Sequence, residues 1–154
     1  MRSGSINACL TLALVACGGR PAAEAPAPSS STVLTAAPID SSMMLRTASG
    51  LQFRDLVVGT GPIVTAGQFI SVYYIGQLLN GRQFDATIPP AEPIRFQVGI
   101  RRVIRGWDEG LVGMRVGGRR QLIVPPALGY GSRGTGPIPP GSTLVFTIEV
   151  VSAM

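Results

Sequence analysis

Beyond Gly50, apolar residues recur at every second position. Ile70, Val72 and Tyr74 alternate with Ser71 and Tyr73. The other segments that share this pattern are marked by Leu51, Phe53 and Val57, by Ile94, Phe96 and Val98, by Leu122 and Val124, and by Leu144, Phe146, Ile148 and Val150. Because successive side chains of a strand point to opposite faces, the pattern predicts about five half-buried β-strands. Asn80-Gly81 lies between alternating segments and predicts a two-residue hairpin turn, so antiparallel pairing is expected.

One segment has a helical period instead. Ile104, Trp107 and Leu111 fall at positions i, i+3 and i+7, and the glycines 106, 110 and 113 limit this helix to about two turns. The sequence therefore predicts an α+β fold, in which an antiparallel sheet curves around one short helix. A tryptophan on such a helix usually fills the hydrophobic core, and from its local pattern alone Trp107 is expected to do so. Asp108 and Glu109 are expected on the solvent face of the helix.

The N-terminus has the features of an export signal. Arg2 precedes an apolar run, residues 8–16, that is too short to span a bilayer. Leu-Val-Ala-Cys at 14–17 resembles the lipobox of bacterial lipoproteins, which predicts a signal peptide over residues 1–16 and a lipid anchor on Cys17. The alternatives are an ordinary secreted protein that is cleaved nearby, or a wrongly assigned start of translation. Gly18 rather than Asp after the anchor favours sorting to the periplasmic face of the outer membrane, where the organism has one.

Residues 17–49 differ in composition from the rest of the chain. They are rich in Ala, Pro and Ser, have no period and contain few large apolar residues. This composition predicts a flexible tether, with the folded domain at residues 50–154.

Composition excludes several kinds of chemistry. The chain has no histidine, and all of its 13 basic residues are arginine. Triads that depend on histidine, lysine Schiff bases and the P-loop lysine are therefore excluded, and no metal or cofactor is expected. Gly129, Gly131 and Gly134 have the spacing of a phosphate-binding loop, but three prolines at 137, 139 and 140 follow them where the required helix would begin.

The net charge of +5 raises the question of a nucleic-acid partner. The arginines are scattered among the predicted strands rather than interleaved with exposed aromatic residues, so no nucleic-acid partner is expected. Arg95, Arg101, Arg102 and Arg105 form the densest group. We interpret this group as a solvated face beside anionic lipid or cell-surface polymer.

Four longer motifs resemble the FKBP-type peptidyl-prolyl cis-trans isomerases: VYYIG at 72–76, NGRQFDAT at 80–87, VIRGWDEGLVGM at 103–114 and GYG…IPPGSTLVF at 129–146. The resemblance covers about residues 50–151 and implies a hydrophobic cavity that takes a proline ring, or macrolides such as tacrolimus. It implies that Trp107 forms the cavity floor, and that its walls and overhanging loop are formed by Tyr74, Phe84, Phe96, Val103, Ile104, Phe146, Tyr130 and Ile138.

The resemblance also implies roles for two polar groups. The Tyr130 hydroxyl would donate to a substrate carbonyl, and Asp85 would bond close to that carbonyl. Relatives often carry an arginine where Pro90 stands here, so Asp85 is expected to be held without it. The implied function is prolyl isomerisation that assists the folding of exported proteins, by a monomer. A chaperone or binding module that uses the same pocket without turnover is the alternative.

Overall fold

The computed structural model describes residues 34–39 and 43–154. Within them the chain forms a seven-stranded antiparallel sheet, whose strand order is β1-β2-β6-β7-β3-β4, with β5 pairing with β3. The strands are β1 Leu45–Arg46, β2 Gln52–Val57, β3 Phe69–Leu78, β4 Gln83–Thr87, β5 Ile94–Gln97, β6 Arg119–Val124 and β7 Leu144–Ala153. The α-helix α1 spans Arg105–Gly110, and a short 3-10 helix spans Pro126–Leu128.

The predicted α+β fold is confirmed, with more strands than the alternation revealed. The two missing strands are β1, which has only two residues, and β4, in which Phe84 is the single large apolar residue. Neither segment is long or apolar enough for a period of two to be visible. A hairpin at Asn80-Gly81 joins β3 to β4, but its turn is longer than the two residues predicted. Leu78 and Arg82 are paired across it, so residues 79–81 form the turn, and Gly81 alone of Asn80-Gly81 has a positive φ, 82°.

Helix α1 lies directly against β6. A methyl group at Gly106 would lie 2.5 Å from Cγ1 of Val124, and one at Gly110 would lie 2.7 Å from Cδ2 of Leu122. Both distances are shorter than side-chain carbons tolerate, so the absence of a side chain at these two positions sets how closely the helix approaches the sheet. The helix glycines thus serve packing as well as limiting the length of the helix.

A buried arginine holds the C-terminal end of this helix. Arg120 of β6 donates to the carbonyl of Gly110 at 2.8 Å and to both carboxylate oxygens of Asp55 at 2.6 and 3.0 Å. Its guanidinium also lies 4.6 Å from the centre of the Phe53 ring. A cation is favourable at a helix C-terminus, where carbonyl groups lack helical partners. Arg120 therefore joins α1, β2 and β6.

The segment that precedes the strands lies on the opposite face of the sheet. Leu34 is buried, and Gln121 Nε2 donates to the carbonyl of Ala37 at 2.9 Å. Arg54 Nη2 donates to the carbonyl of Pro38 at 2.7 Å. The sequence predicted a tether up to residue 49, whereas residues 34–39 and strand β1 contact the folded domain. The domain therefore begins earlier than residue 50.

The remaining N-terminal predictions concern residues outside this description. The predicted signal peptide at 1–16, the predicted lipid anchor on Cys17 and most of the predicted tether fall within residues 1–33 and 40–42. In the part of the chain that the structure describes, no helix is long and apolar enough to cross a membrane.

Candidate active site

The indole of Trp107 contacts three aromatic rings that come from different strands. Its ring centre lies 5.0 Å from that of Tyr74 on β3, 5.2 Å from that of Phe146 on β7 and 5.6 Å from that of Phe96 on β5. The contacts with Tyr74 and Phe146 are edge-to-face, a favourable geometry for aromatic pairs. Helix α1 thus places its one aromatic residue at the centre of an aromatic cluster. We call Trp107, Tyr74, Phe96 and Phe146 the indole cluster.

The predicted wall residues pack in or against the same hydrophobic core as the indole cluster. Phe84 on β4 makes an edge-to-face contact with Phe146 at 5.7 Å between ring centres. Val103 and Ile104, which lead into α1, are partly buried and pack against the same core, and Ile138 is buried within it. These side chains come from segments far apart in sequence, and they are nearly all apolar.

The cluster contains a glycine that the sequence analysis did not single out. A methyl group at Gly76 of β3 would lie 2.8 Å from the Phe84 ring and 2.9 Å from the Phe146 ring. Gly76 pairs with Phe146 on one side and with Asp85 on the other. Its lack of a side chain leaves room for the two rings to meet. A glycine inside a long strand is a signal of close approach that could have revealed this position.

Two polar groups meet at one edge of the cluster. The Tyr74 hydroxyl donates to Oδ2 of Asp85 at 2.5 Å, and Tyr74 is buried while Asp85 is exposed. Burial, followed by the hydrogen bond to Asp85, raises the pKa of Tyr74 from 10.0 to about 12. Tyr74 therefore stays protonated and donates over the whole physiological pH range. Asp85 is thus held by Tyr74, in a chain that has Pro90 where relatives often carry an arginine.

The glycine-rich stretch forms a loop that closes on itself. The backbone groups of Thr135 and Ile138 bond to each other at 3.0 and 2.8 Å, and Gly141 donates to the carbonyl of Gly131 at 2.9 Å. No helix follows the glycines among the described residues 131–143. The loop carries Ile138 into the core and leaves Tyr130 41% exposed.

Asp108 has a role that the sequence did not reveal. It was predicted on the solvent face of the helix, but its two carboxylate oxygens accept the main-chain N–H groups of Gly99 at 2.7 Å and Arg101 at 2.8 Å. Arg101 has a φ of 61°, a left-handed conformation that costs a residue with a side chain about 1 kcal/mol or more. Asp108 thus fixes the loop that leads into Val103 and Ile104. Its neighbour Glu109 accepts a bond from Ser49 instead.

The site has one buried donor without a partner. Trp107 is 5% exposed, and no group among the described residues accepts a hydrogen bond from its indole N–H. A buried polar group without a partner is uncommon, so this donor is available to an acceptor that arrives with a ligand. The described residues include no cluster of histidine, cysteine or acidic side chains suited to a metal ion.

Comparison with known proteins gives consistent matches. Residues 61–151 match the family described as FKBP-type peptidyl-prolyl cis-trans isomerase. The chain is 47% identical over 105 residues to an FK506-binding protein of Streptomyces anulatus, covering 66% of this chain and 85% of that protein. It is 51% identical over 105 residues to FK506-binding protein 4 of Dictyostelium discoideum, covering 68% of this chain but only 28% of that longer protein.

A solved structure shares the fold. The crystal structure of FkpA from Escherichia coli superposes with a TM-score of 0.66 at 35% sequence identity, covering 71% of this chain and 51% of that chain.

Replacing Tyr74 with phenylalanine is expected to remove a pH-dependent part of the free energy of unfolding. Because the pKa of Tyr74 is raised to about 12 in the folded protein, the unfolded chain releases this proton at a lower pH. The contribution is complete below the unfolded pKa of 10.0 and is lost as the pH rises through about 12, by up to about 3 kcal/mol. Urea denaturation across this range measures it. Tyr73→Phe, on the same strand, is the control, and its free energy of unfolding should fall at alkaline pH as that of wild type does. An equal fall in wild type and in Tyr74→Phe would contradict the assignment.

Asp108→Ala is expected to loosen the loop before α1. Each hydrogen bond to a carboxylate contributes about 1.5–3 kcal/mol, so the amide protons of Gly99 and Arg101 should exchange with solvent about tenfold faster or more. Hydrogen exchange followed by NMR measures both amides. Glu109→Ala is the matched control on the next residue of the helix. Unchanged exchange in Asp108→Ala would show that the carboxylate does not hold the loop.

Proposed function

This chain belongs to the FKBP-type peptidyl-prolyl cis-trans isomerases, and we propose that it catalyses rotation about X-Pro peptide bonds in exported proteins. The uncatalysed rotation takes about 10–100 s and can limit folding. The observation that carries this proposal is the indole cluster, in which aromatic rings from three strands pack around Trp107 of the helix.

The reaction suits a site that lacks acid-base machinery. No covalent bond breaks, and the barrier of about 18–20 kcal/mol comes from amide resonance. Resonance places partial negative charge on the carbonyl oxygen and partial positive charge on the nitrogen. Twisting the bond removes this charge separation. The twisted amide therefore loses less solvation free energy than the planar amide when it moves from water into an apolar site. An apolar site therefore favours the transition state over the ground state.

The residues divide into an apolar centre and a polar rim. Trp107 forms the floor under the proline ring, and the walls are formed by Tyr74, Phe84, Phe96, Val103, Ile104, Ile138 and Phe146. At the rim, the exposed Tyr130 hydroxyl donates to a substrate carbonyl, and Asp85, fixed by Tyr74, orients the bound chain. An acceleration of about 10⁵-fold requires roughly 7 kcal/mol, which is more than one hydrogen bond contributes. The apolar centre therefore supplies most of the effect.

We place this activity in the cell envelope. Arg2 with the apolar run to Ala16 supports an export signal, and Cys17 in its lipobox-like setting supports a lipid anchor. The protein would then act as a monomer on exported proline-containing polypeptides, at the periplasmic face of the outer membrane where the organism has one. Because relatives are named for binding FK506, we propose that tacrolimus-type macrolides occupy the indole cluster as well.

Exchange NMR on an Ala-Leu-Pro-Phe peptide tests the proposed activity. Wild type should accelerate cis-trans exchange, and Tyr130→Phe should lower that acceleration only about fivefold, because it removes one hydrogen bond of about 1 kcal/mol. Trp107→Leu, with its fold checked by circular dichroism, should lose nearly all of it. Tyr73→Phe serves as the control from outside the cluster.

The outcomes separate two functions of the same pocket. If the peptide binds but its exchange rate in the presence of wild type equals that in buffer, the protein is a chaperone or binding module without turnover.

A further inference from the structure

We propose that a groove beside the indole cluster recognises an acidic side chain close to the target proline, an inference that rests on the proposed function. The groove has a volume of about 320 Å³ and is lined by Phe69, Arg95, Phe96, Gln97, Ile100 and Arg102. We call it the arginine groove. It gives a specific role to part of an arginine group that the sequence alone assigned only to a solvated face.

The arginine groove lies beside the proposed active site, across the edge strand β5. Phe96 pairs with the buried Ile70 whereas Gln97 pairs with the exposed Phe69, so Arg95 and Gln97 face away from the indole cluster. Phe96 lines the groove and its ring centre lies 5.6 Å from that of Trp107. Arg102 lines the groove and directly precedes the wall residue Val103. Adjacent residues of an extended chain are about 3.3–3.6 Å apart. A polypeptide whose proline lies on Trp107 and whose chain passes over the edge of β5 would therefore bring residues within about three positions of the proline to this groove.

The charge of the groove is positive and unneutralised. Both lining arginines are exposed, and no ion pair among residues 34–39 and 43–154 involves Arg95 or Arg102. None of the lining residues is acidic. The Gln97 amide is already used, because its Nε2 donates to the carbonyl of Gly67 at 2.8 Å. The polar groups left for a ligand are two guanidinium groups, which match a carboxylate in charge and in geometry.

Contacts order the side chain of Arg95 and the main chain beside Arg102. The Arg95 guanidinium lies 5.3 Å from the centre of the Phe69 ring, which is 45% exposed. Stacking on a ring face leaves the N–H groups at the guanidinium edge free to donate. Arg102 is the residue after Arg101, and Asp108 fixes the main chain there by accepting the N–H groups of Gly99 and Arg101. Ordering before the ligand arrives lowers the entropic cost of binding it.

The shape of the surface favours a peptide over a membrane. The arginines line a concavity that also contains Phe69, Phe96 and Ile100, and Phe96 in turn contacts Trp107. A side chain with an aliphatic stem and a terminal carboxylate, such as glutamate, matches apolar walls that carry cationic groups. The partner we propose is therefore a substrate segment with Glu or Asp within three residues of proline.

The test uses blocked peptides of the form Ala-X-Leu-Pro-Phe-Y-Ala, in which X or Y is Glu, Gln or Lys. At low salt, kcat/KM should be about threefold higher for the best Glu peptide than for its Gln counterpart, and lower for Lys, with the differences shrinking at high salt. The double variant Arg95→Gln/Arg102→Gln should abolish the Glu preference and leave the Gln peptides unaffected. The double variant Arg95→Glu/Arg102→Glu should prefer Lys.

Arg82→Gln is the matched control. The carbonyl of Arg82 accepts the N–H of Leu78, at the end of β3 opposite to Phe69, so this exposed arginine lies about 30 Å from the groove along the strand. This variant should keep the Glu preference of wild type. Equal rates for Glu and Gln peptides with wild type, or a preference that survives in the double Gln variant, would overturn the proposal.

Two further results are distinguishable. If wild type binds phosphatidylglycerol vesicles through Arg95 and Arg102 and shows no peptide preference, the groove belongs to a membrane-facing surface and the proposal is wrong. If no peptide is isomerised, the proposed function fails. The proposal for the groove is then tested by the Kd values of the Glu and Gln peptides, measured from Trp107 fluorescence. Tighter binding of the Glu than the Gln peptide then supports the groove, and equal binding overturns it.

Discussion

The close contact between α1 and β6 is the constraint on which the site depends. Gly106 allows the helix backbone to lie against Val124, and Arg120 holds the end of the helix through the Gly110 carbonyl. Only in this position does the helix present Trp107 to rings from β3, β5 and β7, at centre distances of 5.0 to 5.6 Å. A bulkier residue at position 106 would move the helix outward and separate the indole from these rings. The packing of one helix thus determines the geometry of the apolar centre.

Polar groups fix the borders of the site without entering its apolar centre. Tyr74 contributes its ring to the indole cluster and its hydroxyl to Asp85 at the edge. Asp108, adjacent to Trp107, uses its carboxylate to hold the loop at Gly99 and Arg101. Both carboxylates therefore stabilise positions around the centre while the centre itself remains apolar. This division suits a reaction that requires a twisted amide to leave water and requires no proton transfer.

The fold could be predicted from sequence because its signals are local: alternation in the strands, Asn80-Gly81 at the hairpin and helical spacing around Trp107. The site could not, because on local pattern alone Trp107 is a core residue, and its proposed role came from family resemblance. The early start of the domain was missed because residues 34–39 are held largely through main-chain carbonyls of Ala37 and Pro38, which composition does not reveal. Asp108 was placed on the solvent face because its partners are main-chain groups of a loop.

The most direct test of the central claim is the indole N–H resonance of Trp107 in a proton-nitrogen correlation spectrum. The chain contains one tryptophan, so this signal is unambiguous. The resonance should shift in a saturable way when a Leu-Pro peptide is added, and should stay in place when the matching Leu-Ala peptide is added at the same concentration. An unchanged resonance with the Leu-Pro peptide, at concentrations where binding occurs elsewhere on the protein, would contradict the assignment of Trp107 as the floor of the proline site.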